Sequence, residues 1–532
     1  MKKYGANFCA GYPILSMSFA VGFLVFGLRA LIILKYGVDV PLWDQWDLEF
    51  NAIFQPILQG QLLSFTELIQ DHNEHRHFIL RLFSLTLFVW HGHWNPLVEM
   101  MAQSLIPSVT AAFVFHCLSI DLPKTPIWLK VWVTVLCFCH PTNYENMLWG
   151  FQNSFYLTVF FLCVASRVIE KAQPIKLRHV LSICLLGLLA QLCLASGFIV
   201  LFVATAIMTC RLFYDDEKRV RTRVLLVGLG LVGTLLLYLT VTKVAHNGPL
   251  EAQSILPSMN DLSNIVWGIP VTNSSFLNSA SYCLGWPNWP SPRSGLVLWA
   301  LFSCHVVLLV KRRKIFGLFY LALAGWCLLI AGAIALKRGG LSPFPAIRYG
   351  DFLTLIYLPL FYFGLNFHRL TVSKLGRVLL PGSVIVILIA ATIHVFALFP
   401  ELQKWRESRQ AMIAKIHQAY TKEATGEGLK TLRGGRPTVD LCYPDAVKLW
   451  SYLQTKPAAD YLPRSIRRPS STNAAKIPER LNWLLSPLLP WFSLGASLLL
   501  FCGSIISLAR KEGLAVHRYL IANSSRFGSE RL

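Results

Sequence analysis

The chain has 532 residues, of which 54% are hydrophobic and only 14% are charged. Because a soluble domain carries about 25% charged residues, this composition excludes an ordinary soluble enzyme and indicates a membrane protein. The formal net charge of +22 would suggest nucleic acid as a partner of a soluble protein, but membrane proteins collect lysine and arginine in their cytoplasmic loops. Since backbone groups in lipid must be hydrogen-bonded internally, the predicted fold is an all-α integral membrane protein with no nucleic-acid partner.

Apolar runs predict about 12 transmembrane helices along the chain. The first run follows a basic N-terminus and is interpreted as a retained span, because it is longer than the apolar core of a cleavable signal peptide. The aromatic run 78–90 is short and is predicted to lie as an interfacial helix on the outer face. The predicted spans are 13–34, 96–120, 127–139, 148–169, 180–195, 198–212, 225–244, 295–310, 315–336, 352–365, 378–398 and 487–508.

Short basic clusters between the spans predict the orientation of the chain. When 78–90 stays at the interface, every cluster faces the cytoplasm and so do both termini. The predicted localisation is therefore the inner (cytoplasmic) membrane, with 35–76 and 400–485 outside. The clusters are 171–178, 211–223, 311–314, 369–377 and the tail from residue 510.

The chain is predicted to consist of three regions. Residues 1–398 form the transmembrane core with its outer loops, 399–485 form a small and irregular outer-face (periplasmic) segment, and 486–532 contain the last span and a basic tail. The middle region has few apolar runs, so we do not expect it to bury a large core of its own. Cys283 and Cys442 lie outside the spans, and an oxidising compartment would allow them to form a disulfide.

The first polar cluster, residues 41–49, lies just beyond the first span. It places Asp44, Asp47 and Glu49 between tryptophans. Carboxylates packed beside indole rings have raised pKa values, which suits a general base. The alternative is an interfacial aromatic belt with solvated acids.

The second cluster, residues 71–77, leads into the interfacial run and contains His75 and Arg76. Such a dense group of charges beside hydrocarbon is costly unless its members are paired or bind something. A solvated loop is one alternative. A zinc site built from Asp71, His72, His75 and His77 is another, so a divalent metal ion is left open as a cofactor.

The third cluster, residues 140–153, connects two spans on the outer side. Glu145 and Gln152 are seven positions apart and share a helix face if the following helix begins early. The alternative is a loop whose polar groups satisfy one another.

The fourth cluster, residues 337–351, contains Arg338, Arg348 and Tyr349. Lysine and arginine are normally enriched in cytoplasmic loops, so cations in a short outer loop require an explanation. A guanidinium forms a planar, permanently charged fork that suits phosphate. The alternative is that these long side chains only extend toward the headgroups.

Together these clusters resemble the GT-C membrane glycosyltransferases, which include protein O-mannosyltransferases and the aminoarabinose transferases that act on lipid A. The resemblance covers the whole topology, although the first-loop acids stand three positions apart here and are adjacent or one residue apart in the family. Which acid acts is therefore open. The motifs that carry the resemblance are Asp44 with Asp47, His140-Pro141 with Glu145, Gly150-Phe151-Gln152, and Arg348-Tyr349.

The resemblance implies transfer of a sugar from a polyprenyl-phosphate-linked donor to a glycan, lipid or protein acceptor, with inversion at the anomeric carbon. Asp44 or Asp47 would be the catalytic base, and Arg338 and Arg348 would stabilise the departing phosphate. The other substrate-binding residues implied are His75, Arg76, Glu145, Gln152 and Tyr349.

Three other functions remain open. A transporter or lipid-linked oligosaccharide flippase would also have many spans, but it should carry ionisable residues at mid-membrane, and few charges lie inside the predicted spans. A non-catalytic scaffold would leave the outer acids without a role. A membrane acyltransferase is the weakest alternative.

Overall fold

The computed structural model consists of helices and connecting turns, with no β-strand among the residues that it describes. These residues are 2–70, 72, 75–172, 175–214, 228, 300, 317–338, 347–366, 374–434, 441–468 and 479–507. The all-helical prediction is therefore confirmed for this part of the chain.

The helices follow the apolar runs closely, and Ile127–Cys139 coincides with its predicted span. The longer elements are Lys2–Tyr36, Trp46–Phe54, Phe78–His91, Pro96–Gln103, Leu105–Asp121, Ile127–Cys139, Asn153–Lys171, Leu177–Gln191, Phe198–Tyr214, Leu318–Arg338, Tyr357–Asn366, Lys374–Ala397, Phe399–Thr421, Ala446–Gln454 and Leu489–Ser507. Short helices at Gln55–Leu58, Phe65–Ile69, Tyr144–Met147, Gly350–Leu353 and Gly428–Arg433 lie between them.

Five helices in the described residues are long and apolar enough to cross a membrane, which supports a membrane protein. They are Pro13–Tyr36, Pro96–Asp121, Asn153–Lys171, Gly382–Thr421 and Leu489–Ser507. Other apolar helices, such as Ile127–Cys139, have between 10 and 17 residues. The count of 12 remains a prediction, since the predicted spans 225–244 and 295–310 lie almost entirely outside the described residues.

Close helix packing builds the centre of the bundle. Helix Lys2–Tyr36 lies against Leu105–Asp121, and a Cβ atom on Gly22 would lie 3.2 Å from the carbonyl oxygen of Ser108. A small residue at this position lets the two backbones approach, as is common between membrane helices. Phe115 and other side chains of this interface are fully buried.

The predicted interfacial helix is Phe78–His91, and its 14 residues span about 21 Å at 1.5 Å per residue. That is shorter than the hydrocarbon core of about 30 Å. Val89 and Trp90 are exposed, whereas Leu80 and Ser84 are buried against the protein. Its placement at a membrane surface remains a prediction.

The 399–485 segment is more regular than predicted. Helix Phe399–Thr421 follows directly on Lys374–Ala397, and two further helices, Gly428–Arg433 and Ala446–Gln454, come after it. The prediction of an irregular segment is wrong for these stretches. The helices form because their apolar side chains pack in one cluster with the first loop, which we define as residues 37–77. The segment thus shares a core with that loop.

Candidate functional site

The first-loop acid Asp47 links the loop to the 399–485 segment. One carboxylate oxygen accepts a hydrogen bond from Lys448 Nζ at 2.8 Å, and the Tyr443 hydroxyl donates to both oxygens at 2.9 and 3.0 Å. The exposed fraction of the Asp47 side chain is 26%. Its charge is therefore already balanced within the protein.

Asp44 has a different environment. Its side chain is 41% exposed, and its Oδ1 lies 3.5 Å from His72 Nε2. Asp44 forms no other ion pair with the residues that the structure describes. Of the two predicted catalytic acids, Asp44 is thus the accessible one.

A buried acid pair, Glu49 and Glu99, lies behind these two aspartates. The side-chain amide of Gln45 donates to Glu49 at 2.9 Å and to Glu99 at 3.0 Å, and the Ser84 hydroxyl donates to Glu49 at 2.5 Å. Burial raises the pKa of Glu49 to about 7, although the donors around it offset part of that rise. Sequence reasoning missed Glu99, because it is a single acid at the start of an apolar run.

The predicted histidine cluster forms a tight turn. His72 and His75 exchange backbone hydrogen bonds at 2.9 and 3.1 Å, and the His75 ring accepts the N–H of Ala195 at 3.2 Å. Arg76 is buried and donates to the Ile69 carbonyl at 3.2 Å. Burial and the neighbouring cations hold the pKa of His77 well below its usual value. Arg76 thus has a hydrogen-bonding role within the loop.

Metal binding at this turn gains no support from the described residues. They contain no group of three or more histidine, cysteine or acidic side chains able to hold an ion. Asp71, which the zinc hypothesis also used, lies outside the described residues. Cys442 is a free, buried thiol, and its predicted partner Cys283 also lies outside them.

The third cluster is a loop that Gln103 holds in place. The Gln103 amide donates to the carbonyls of Asn146 and Trp149 at 2.9 and 2.8 Å, and its oxygen accepts the N–H of Gln152 at 3.1 Å. The shared helix face of Glu145 and Gln152 is not formed: helix Tyr144–Met147 ends early, and the next helix begins only after Gln152.

The loop between His140 and Asn153 begins at a buried histidine. His140 Nδ1 accepts the backbone N–H of Thr142 at 3.2 Å, and Nε2 lies 3.0 Å from the Ala391 carbonyl. Burial lowers the pKa of His140 to about 3. This neutral ring, with its proton on Nε2, fixes the start of the loop.

The fourth cluster joins the third. The backbone N–H of Arg348 donates to Glu145 Oε2 at 3.1 Å, and the Asn146 amide donates to the Arg348 carbonyl and to Asp351 Oδ2, both at 2.6 Å. Arg348 is half-buried, and its guanidinium carbon lies 5.9 Å from the ring centre of Tyr349. Helix Leu318–Arg338 ends at Arg338, whose side chain is outside the described portion.

Aromatic contacts connect these clusters at one end of the bundle. Trp43, beside Asp44, contacts Trp149 edge-on at 5.4 Å, and Phe151 lies 5.3 Å from His77. All four predicted clusters therefore meet around the 140–153 loop. At the opposite end, Arg167 pairs with Asp121 at 2.8 Å.

Among the buried arginines, sequence reasoning missed Arg29 and Arg409. Arg29, inside the first apolar helix, donates to the Phe138 carbonyl at 2.8 Å and to the Tyr156 hydroxyl. It is an ionisable residue within a run interpreted as a span, so the sequence did contain its signal. Arg409 lies in the basic stretch of helix Phe399–Thr421, where nothing in the sequence distinguishes it from its exposed neighbours.

Comparison of the chain with protein-family models, with curated proteins and with solved structures finds no match.

Proposed function

We propose that this protein is a membrane glycosyltransferase of the GT-C type. It transfers a sugar from a polyprenyl-phosphate-linked donor to a glycan, lipid or protein acceptor on the outer face of the cytoplasmic membrane. The observation that carries the proposal is the convergence of acidic and arginine-bearing loops around residues 140–153, at one end of an apolar helical bundle. A lipid-anchored donor needs such a site beside the membrane.

Asp44 is our candidate for the base. Its carboxylate takes the proton of the acceptor hydroxyl, and the hydroxyl oxygen attacks the anomeric carbon. The bond from that carbon to the phosphate oxygen breaks, and its electron pair stays on the departing polyprenyl phosphate. Asp44 is favoured over Asp47 because Asp47 already accepts hydrogen bonds from Lys448 and Tyr443, whereas Asp44 is more exposed and lies 3.5 Å from His72.

The arginines of the fourth cluster stabilise the leaving group in this mechanism. Negative charge develops on the phosphate as the sugar leaves, and a guanidinium fixed nearby is favoured most at that stage. The bond from the Arg348 N–H to Glu145 holds its backbone against the third cluster. Arg338 remains the second proposed cation, and His75, Arg76, Gln152 and Tyr349 remain proposed substrate-binding residues.

A lipid-linked oligosaccharide flippase is the second candidate, and Arg29 is the observation that favours it. Ionisable residues inside spans often mark substrate pathways. However, Arg29 donates to the Phe138 carbonyl and to the Tyr156 hydroxyl, which is the environment of a structural arginine. The glycosyltransferase proposal therefore has the stronger support.

The test uses purified protein in nanodiscs with undecaprenyl phosphate carrying radiolabelled glucose, mannose or aminoarabinose. Release of free undecaprenyl phosphate reports sugar transfer or hydrolysis. Asp44→Asn should reduce release by about 100-fold or more, whereas the matched variant Asp47→Asn should keep most of it. The reverse pattern would make Asp47 the base.

Two outcomes would refute the mechanism. If both variants release lipid at the parental rate, neither first-loop aspartate is the base. If the parent releases lipid from none of the donors but moves the intact donors across a liposome membrane, the flippase candidate replaces the transferase.

A further inference from the structure

Arg409 is a buried guanidinium that forms no ion pair with the residues the structure describes. It lies on helix Phe399–Thr421 and is 6% exposed. Its Nη1 donates to the Met412 sulfur at 3.3 Å, and its Nε finds no acceptor. A thioether is a weak acceptor. Burying a charge with so little compensation is unfavourable, so an anion bound beside Arg409 would be stabilising.

Tryptophans enclose this guanidinium. The Arg409 Cζ lies 4.0 Å from the ring centre of Trp405 and 5.6 Å from that of Trp43. Indole faces attract a cation, but they provide no acceptor for N–H groups. The aromatic contacts therefore hold Arg409 in place and provide no acceptor for its Nε.

Two further unsatisfied donors lie on Trp43, which contacts Arg409, and on Trp149, which contacts Trp43. The indole Nε1 atoms of Trp43 and Trp149 are both buried and have no acceptor within the described part of the chain. The two rings are in edge-on contact at 5.4 Å, and Trp43 in turn contacts Arg409. Three neighbouring side chains thus offer N–H donors, and an anion with several oxygens is the chemical group that would satisfy them together.

The neighbouring carboxylate does not fill this role. Glu145 acts favourably on Arg409 through its charge, yet it forms no ion pair with it. Its Oε2 instead accepts the backbone N–H of Arg348 at 3.1 Å. Glu145 therefore interacts with both arginines, and the Nε of Arg409 still has no acceptor among the residues that the structure describes.

We propose that Arg409, together with the indole N–H groups of Trp43 and Trp149, binds a phosphate group. A phosphate offers several charged oxygens to donors that lie in different side chains, and the planar fork of arginine matches it. That this phosphate belongs to the polyprenyl donor rests on the proposed function, whereas the phosphate site itself does not. Arg409 then adds a cation to the one that Arg348 supplies.

Binding measured without any sugar tests the site. Undecaprenyl phosphate, inorganic phosphate and phosphatidylglycerol are titrated separately into purified protein in nanodiscs or detergent, and binding is followed by native mass spectrometry. Arg409→Gln should weaken binding of undecaprenyl phosphate by about 10- to 100-fold, the scale of one charge-assisted hydrogen bond. Arg409→Lys should lie between the parent and Arg409→Gln. The control Lys404→Gln removes an exposed cation of the same helix and should leave binding within about twofold of the parent.

Trp43→Phe keeps an aromatic ring, although a smaller one, and removes the indole donor, so it should weaken binding by about three- to tenfold even if Arg409→Gln folds poorly. Arg409-dependent binding of undecaprenyl phosphate alone supports a lipid-borne phosphate, and binding of inorganic phosphate as well supports a site for the free group. Parental affinity in Arg409→Lys and Trp43→Phe, or a lower melting temperature of Arg409→Gln without loss of affinity, would overturn the site. If the parent transfers no sugar but binds undecaprenyl phosphate in a way that depends on Arg409, only the transferase assignment is removed.

Discussion

Replacing Glu49 by glutamine should change how the stability of the protein depends on pH. Glu49 is fully buried, and burial raises the pKa of its carboxyl from the ordinary 4.5 to about 7. A group whose pKa is higher in the folded state favours folding while it is protonated. Its contribution is therefore fully present below about pH 4.5 and is lost as the pH rises to about 7.

The size of the effect follows from the two pKa values. Their difference corresponds to about 3 kcal/mol, since one pKa unit is worth about 1.4 kcal/mol. For a chain of this size we expect that to lower the melting temperature of the parent by several degrees between pH 5 and pH 8. In Glu49→Gln the neutral amide keeps an oxygen that can accept from Ser84 or Gln45, so this part of the pH dependence should disappear.

Thermal unfolding of the detergent-solubilised protein at a series of pH values measures the difference. Buried histidines such as His140, whose pKa is lowered to about 3, act in the opposite direction but are common to both proteins. Glu407→Gln, which changes an exposed acid on helix Phe399–Thr421, is the control and should follow the parent. If the melting temperatures of the parent and Glu49→Gln depend on pH in the same way, the reasoning is contradicted, because ionisation of the buried carboxyl would then have no energetic cost.

Three further changes test the contacts around the site. Gly150→Ala should lower the melting temperature and cost about 1–3 kcal/mol, because its Cβ would lie 2.6 Å from a Glu99 carboxylate oxygen. Gln103→Leu should cost about 2–4 kcal/mol in thermal unfolding, since two loop carbonyls would lose their side-chain donor. A double-mutant cycle on Asp47 and Lys448 should give a coupling energy below about 1 kcal/mol, because both side chains are partly exposed; a larger value would show that the pair is better shielded than its exposure indicates.

The positions of the helices were largely predictable, because lipid and the bundle core both select long apolar runs. The pattern of Ile127–Cys139 and the break at Ala195–Gly197 between two helices are visible in the sequence and occur where predicted. The break before Asn153 was not predictable in this way. It depends on Gln103, a distant residue whose amide holds the loop carbonyls.

The pairings of the polar residues were harder to predict than the clusters. Asp47 and Lys448 are 401 positions apart, and no periodicity connects them. Arg409 lies in a basic stretch whose composition explains it without any special role, and Glu99 is a single acid near the start of a predicted span. Only the packing of the 399–485 segment against the first loop brings Arg409 beside Trp43, so its lack of an acidic partner among the described residues becomes visible only in three dimensions.

The three first-loop acids have separate roles because the local helix turns them in different directions. Gln45 and Glu49 are four positions apart, which places them on one face of a helical turn, and their side chains are hydrogen-bonded to each other and buried against Glu99. Asp44 and Asp47, three positions apart, lie on the other side, where both side chains reach solvent. The hydrogen bond from Gln45 to Glu99 anchors the loop to the start of Pro96–Asp121, and Asp47 anchors it to the 399–485 segment. With both anchors in place, Asp44 is held at a fixed position while its carboxylate remains accessible, which is the combination that a base for an incoming hydroxyl requires.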